Sequence, residues 1–188
     1  MAFFKILSCF KCLVAAVSVA VVTGVGFLFS GFYPMGADDH HNDLTYWALE
    51  TLRERSIARA ANNIQVPNDL DSSERLLAGG ADYNDMCAGC HLKPGVNQSD
   101  FTLGLYPEPP NLTRPENFQD DDTVEMLARQ RFWIIKHGIK ASGMPAWGAG
   151  HDDERIWNMV AFLQRLPELS SPQYQILTVR DADAPVHH

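Results

Sequence analysis

The apolar residues of this chain fall into one unbroken run followed by a series of helical stripes. Leu13 to Tyr33 contains no charged side chain, and as a helix rising about 1.5 Å per residue it is long enough to cross a hydrocarbon core. From Asn42 to Asn63 the pattern changes, with Leu44, Trp47, Ala48, Thr51 and Leu52 on one helical face until Pro67 stops it. That stripe is expected to pack on its own domain, with a partner subunit or the membrane surface as alternatives. Asp71 and Glu74 have the spacing of an N-cap and its third helical residue, and open a helix carrying Leu76, Gly79, Gly80 and Tyr83. Asp122 and Glu125 repeat the spacing, with Val124, Leu127, Ala128, Phe132 and Ile135 turned inward and Gly138 as the stop. A last helix starts near Asp152, has Asp153 and Glu154 in its first turn, presents Ile156, Met159, Val160 and Leu163, and ends at Pro167.

Between these helices, Leu92 to Asp121 is rich in Pro, Gly and Asn and reads as a long loop without regular structure, of the kind that wraps something. Beyond Leu169 no apolar period is visible and a mobile tail is expected. With no repeat and no convincing strand, the pattern predicts an all-α chain. Residues 1–37 form a membrane anchor, 38–70 an amphipathic helix and linker, 71–169 the principal domain and 170–188 the tail.

Charge orients the anchor. Lys5 and Lys11 precede the apolar run and Asp38 and Asp39 follow it, which places the N-terminus in the cytoplasm and the remainder outside. A cleaved secretory signal is the alternative, and either would export the domain; no good cleavage pattern follows the run at Phe32 to Ala37. Phe32 and Tyr33 suit the interface. Beyond Gly36, 13 Lys and Arg stand against all 23 Asp and Glu. So acidic a domain is a poor partner for nucleic acid. It would be steered toward a basic patch on a protein partner, or simply kept soluble.

Cys87-Ala88-Gly89-Cys90-His91 carries the chemistry. In a C-x-x-C-H run both thiols become thioethers to a porphyrin and the histidine ligates its iron, so one covalent haem c is implied. Structural zinc would need four donors, and the only other cysteines, Cys9 and Cys12, precede the apolar run. Thiol-disulfide exchange would call for a neighbouring strand-helix-strand pattern, and helix surrounds the motif instead. Cys9 and Cys12 are spaced C-x-x-C, but Leu13 stands where the histidine should be. They read as reduced thiols rather than a second attachment site.

The iron's other axial position could be filled by Met86, Met126, Met144, Met159, His137 or His151. Met144 stands out because it lies in the turn-rich stretch Gly143-Met144-Pro145-Ala146-Trp147 between two helices. Glycine there permits close backbone approach and Pro145 stiffens the chain after the sulfur. His137 and His151 remain as alternatives. Trp133, Trp147 and Phe132 are candidates to line the pocket, and Arg131, Lys136 or Trp147 to hold the haem propionates.

Over roughly Asp71 to Leu169 these motifs together resemble the class I cytochromes c. Gly79 and Tyr83 match the small and aromatic positions at which that family's first helix crosses its last, where Met159 and Phe162 match the contact positions. Pro110-Asn111-Leu112 is similar to the family's G-P-N-L stretch, with Pro109 in place of the glycine. The methionine loop is similar as well. The resemblance implies the class I cytochrome c fold around one haem, ligated by His91 and Met144 and contacted by Tyr83, Leu112 and Pro145. The Pro110 carbonyl would accept the His91 Nδ1 proton. It further implies outer-sphere electron transfer to redox proteins, with no small-molecule substrate and no catalysis by this chain alone. A single-pass protein of a bacterial inner membrane, its haem domain on the periplasmic side, would carry electrons between respiratory-chain components. A fixed cytochrome c subunit of a dehydrogenase or terminal oxidase is the alternative, and a haem sensor or peroxidase would require iron to lose Met144.

Overall fold

The computed structural model describes residues 2–115 and 121–180, and every regular element among them is a helix. The chain divides into two units, Met1–Asp39 and His40–His188. The first holds helix α1 (Ala2–Phe29), whose stretch Phe10–Phe29 has a mean hydropathy of 2.4 and no buried residue. It is long and apolar enough to cross a membrane.

The second unit begins with α2 (Asp43–Ala61). Asn42 caps it, its Oδ1 accepting from the Thr45 N–H at 3.0 Å. The expected packing of the apolar stripe does not occur. Ile57 and Ala61 are the residues that bury, whereas Leu44, Trp47 and Leu52 are 72%, 62% and 68% exposed. The buried pair sits on the opposite side of the helix from the stripe and packs toward α6 (Asp121–His137).

Helix α3 (Ser73–Asp82) starts one residue later than the Asp71 spacing predicts, because Ser72 is the cap that accepts from the Arg75 N–H. It runs into a wide π turn at Tyr83–Cys87 and then into the short α4 (Ala88–His91). A π turn re-aims the residues that follow it, and such turns gather at functional sites. The long loop is not wholly irregular. Helix α5 (Asp100–Gly104) forms inside it on a reciprocal cap between Ser99 and Thr102. Residues 116–120, and the side chain expected to cap α6, Asp122, lie outside the description.

Helix α6 stops where Gly138 takes φ +65°, a left-handed conformation that costs glycine little. Helix α7 (Asp153–Arg165) is capped by Asp152, whose Oδ1 accepts from the Arg155 N–H at 2.8 Å. Beyond Leu169 the expected mobile tail is instead helix α8 (Ser171–Leu177), held by Ser170 and Gln173 at its start. Its anchor is Tyr174, 3% exposed, packed edge-on to Tyr83 and tilted against Phe162. One buried aromatic makes no periodic pattern, so the sequence does not reveal the helix. Residues 181–188 of that tail are outside the description.

The core forms where α3 crosses α7. A Cβ on Gly79 would lie 1.9 Å from the Asn158 carbonyl oxygen, so the two backbones touch there. Tyr83, Ile156, Val160, Phe162 and Leu166 surround the crossing with no exposed surface. Asp82 is buried beside it and accepts from both Arg155, at 2.6 Å and 2.9 Å, and Arg180, at 2.9 Å. Those ion pairs offset the cost of taking a carboxylate out of water.

Candidate functional site

The π turn and α4 deliver Cys87, Cys90 and His91 from the crossing outward. Immediately after His91 the chain leaves the helix through Leu92, whose φ of +69° is strained for a residue with a Cβ. Two contacts hold that strain. The Tyr83 hydroxyl donates to the Leu92 carbonyl at 2.7 Å, and the Leu92 side chain is 3% exposed. Tyr83 thus braces the exit from the motif.

The next segment returns to meet the histidine. The Leu112 N–H donates to the His91 carbonyl at 3.2 Å, and His91 Nδ1 lies 2.9 Å from the Pro110 carbonyl oxygen. A carbonyl can only accept, so Nδ1 carries the proton and Nε2 keeps its lone pair. Burial lowers the imidazole's pKa, opposed by this hydrogen bond. Both features leave a neutral ring with a free donor nitrogen, as metal ligation requires.

Met144 is held from the other side. The Ser142 hydroxyl donates to the Ile139 carbonyl at 2.8 Å and accepts from the Met144 N–H at 3.1 Å. The Ile139 N–H donates to the Met144 carbonyl at 3.2 Å. A Cβ on Gly138 would stand 2.8 Å from both the Met144 carbonyl oxygen and the Ala146 nitrogen. The glycine that ends α6 therefore also seats the methionine loop.

Cys87, Cys90, His91 and Met144 all line one cavity of about 210 Å³, together with Tyr83, Pro110, Leu112, Pro145 and Trp147. Its remaining wall is mainly apolar, with Leu105, Ile134, Ile135, Ile139 and Leu163 from four different parts of the chain. Such a space suits an apolar macrocycle, with two thiols and a free imidazole nitrogen on one wall and a thioether among the other lining groups. Burial pushes the Cys87 thiol up to about 12, so it stays protonated at neutral pH.

The axial candidates separate by place. Met86 and Met159 also line the cavity, but Met86 adjoins Cys87 in the π turn and Met159 lies on α7 in the core. Met126 is 48% exposed. His137 packs against Trp133, and His151 against Trp147 with Nδ1 3.1 Å from that residue's carbonyl oxygen. Neither histidine lines the cavity.

Three expected pocket residues lie elsewhere. Trp133 lines a separate groove with His137 and residues of α2. Phe132 stacks on Trp157 in the core, ring centroids 4.3 Å apart. Lys136 pairs with Asp153 at 2.5 Å rather than reaching the cavity. One turn of helix explains the first two, because adjacent positions on α6 point about 100° apart and Ile135 and Arg131 take the cavity side.

Arg53 of α2 lines the cavity as well, hydrogen-bonded to Glu50 at 3.1 Å. Among the described residues, three charged ones, Arg53, Glu108 and Arg131, are in its lining. Arg53 is not among the pocket residues the sequence pattern points to. Its spacing with Ile57 and Ala61, one residue in four along α2, is the signal that could have placed it on the inward face.

Residues 74–163 match the family model described as cytochrome C oxidase, cbb3-type, subunit III. The match covers the crossing, the thiol motif and the methionine loop, and leaves α1, α2 and α8 outside it. No curated protein and no solved structure significantly matches the chain.

Proposed function

We propose that this chain, whose residues 74–163 are a monohaem class I cytochrome c domain of that family, is a membrane-tethered electron-transfer protein of a bacterial inner membrane, with its haem domain on the periplasmic side. Cys87 and Cys90 would hold the haem by thioether bonds, and His91 and Met144 would ligate its iron. The observation that supports this most is that all four line one largely apolar cavity while Pro110 occupies the His91 Nδ1 proton.

The bound haem supplies a one-electron ferric/ferrous couple. The protein's part is to set that couple and keep other chemistry out. With both His91 and Met144 ligating its iron, the haem would keep no open position for a substrate or oxygen, and the chemistry it would supply is outer-sphere electron transfer. Thioether sulfur favours ferrous iron over ferric, and an apolar wall penalises the extra ferric charge, so both raise the potential. Pro110 fixes the His91 ring and its tautomer. Leu92 and Tyr83 fix the backbone on which His91 sits. Among the described residues, Arg53 and Arg131 are the cavity-lining cations that would face the propionates.

The chain would be a carrier between respiratory-chain components. The family description favours a second reading, a fixed cytochrome subunit of a terminal oxidase. An alkaline pyridine haemochrome spectrum with an intact mass tests the shared premise: one haem c is expected, and a mass without haem overturns both. Gentle detergent extraction and size analysis then separate them. A small free protein supports the carrier, and stable co-purification with larger subunits supports the oxidase.

A further inference from the structure

Helix α8 and the residues after it fall outside the family match, which ends at residue 163, yet they grip the segment that carries the thiol motif on both sides of it. Before the motif, a Cβ on Gly80 would run into the Leu177 carbonyl, so the end of α8 touches the backbone of α3. The Tyr174 hydroxyl donates to Asn84 Oδ1 in the π turn at 3.1 Å. After the motif, the Ser171 hydroxyl donates to the Pro94 carbonyl at 2.9 Å.

That grip delivers a charge. Arg180 donates through Nε to Asp85 at 2.8 Å and through a terminal nitrogen to Asp82 at 2.9 Å, and Arg155 donates to Asp82 as well. Two carboxylates and two guanidinium groups leave this cluster neutral. It stands against the attachment turn: Asp85 is two residues before Cys87, and its near neighbours Tyr83 and Met86 line the cavity. Burial and then the Asp82 charge raise the Cys87 thiol, so a charge in this cluster is felt where the haem would be attached. Asp82 is buried and the Arg180 side chain is 23% exposed, so solvent screens them less than a surface pair.

A ferric haem that takes up one electron loses one unit of positive charge. A nearby cation therefore favours the ferrous state, and a nearby anion the ferric. Without Arg180, Asp82 and Asp85 would be left with Arg155 alone and the cluster would be net negative. We infer that Arg180 is a positioning residue for the haem couple: carried by α8 to Asp82 and Asp85, it keeps the charge beside Cys87 neutral and so holds the reduction potential up. This rests on the reading of Cys87 and Cys90 as a haem attachment site. The segment after the family domain would then belong to the redox site.

The test is a spectroelectrochemical titration of the full-length haem-loaded protein in mild detergent at neutral pH, after an intact mass has shown one haem. Arg180→Gln is expected to lower the midpoint potential. Asp85→Asn, which leaves Arg180 on Asp82, is expected to raise it. The double variant R180Q/D85N is neutral again without the ion pair and should return to the parent value. Arg180→Lys should stay near the parent. Arg165→Gln makes the same change in net charge at an exposed pair with Glu168 and should leave the potential in place. The sulfur-to-iron band of every oxidised variant should match the parent's, which shows the same iron ligands throughout. A merely structural Arg180 predicts instead that both single variants and the double shift the same way. That result overturns the inference, as does an R180Q potential equal to the parent's or an equal shift in R165Q. If R180Q yields no haem-loaded protein, D85N decides: a rise supports the inference, and a potential at or below the parent's overturns it. A parent mass without haem overturns the attachment reading and this inference with it.

Discussion

Replacing Gly79 by alanine places a methyl group where the backbones of α3 and α7 touch. That carbon would lie 1.9 Å from the Asn158 carbonyl oxygen, 2.4 Å from its carbonyl carbon and 2.9 Å from the Met159 nitrogen. Ordinary carbon-to-oxygen contacts are roughly 3.3–3.6 Å, so the helices must part by more than an ångström. All three atoms are main chain, and no rotamer change can relieve them. Helix propensity pulls the other way, since alanine is better than glycine inside a helix by about 0.5–1 kcal/mol. Overpacking typically costs about 1–3 kcal/mol, and a backbone clash this short belongs at the upper end. The net loss is therefore about 2 kcal/mol, which for a urea slope near 2 kcal/mol per molar lowers the unfolding midpoint by roughly 1 M. The assay is urea unfolding of the full chain in mild detergent, followed by far-ultraviolet circular dichroism. Gly104→Ala is the control, because nothing stands within 4 Å of its added methyl, and its midpoint should hold or rise. A Gly79→Ala protein as stable as the parent would refute the crossing as described.

Three further outcomes can be measured. Met144→Ala should abolish the sulfur-to-iron charge-transfer band of the oxidised protein and let the ferrous form bind carbon monoxide at neutral pH; survival of the band would place the ligand elsewhere. Tyr83→Phe loses the hydrogen bond to Leu92 and should cost about 1 kcal/mol at neutral pH. Burial raises the Tyr83 phenol above its ordinary value of 10.0, so below pH 10 the native and unfolded chains bind the same proton. As pH climbs past 10 the unfolded chain loses it first and stability falls. The phenylalanine variant should show a shallower alkaline decline in a pH series of urea midpoints, and an unchanged slope would count against the buried phenol. Tyr174→Ala removes a ring that is 3% exposed against Tyr83 and Phe162, and should lower stability by about 3 kcal/mol in thermal unfolding. No change would mean that α8 does not contribute to the core.

Local chemistry made part of the site legible without a structure. The thiol motif and His91 are contiguous, and Met144 announces itself by the glycine and proline on either side of it. The helices of the core were legible for a related reason, since each buries a long stripe and begins or ends on a recognisable cap, as at Asp152 and Gly138. Arg53 was not legible as a cavity residue. It stands 34 positions before Cys87, and no local pattern says which distant element a charged side chain will face. Trp133 was misplaced because aromatic character alone cannot choose between neighbouring faces of α6. Helix α8 leaves no trace in the pattern because Tyr174 is its only buried side chain.

The helical class, the apolar segment, the C-x-x-C-H run and the loop around Met144 can be read directly from the order of the residues. All of these depend on residues within a few turns of one another, where spacing translates directly into geometry. The face of α2 that packs, the side chains that close the cavity and the bracing of the backbone after His91 emerge from the packed fold. Those outcomes depend on surfaces from distant parts of the chain meeting at van der Waals contact. At that range a missing Cβ, as at Gly79, or a single hydroxyl, as on Tyr83, determines which arrangement fits.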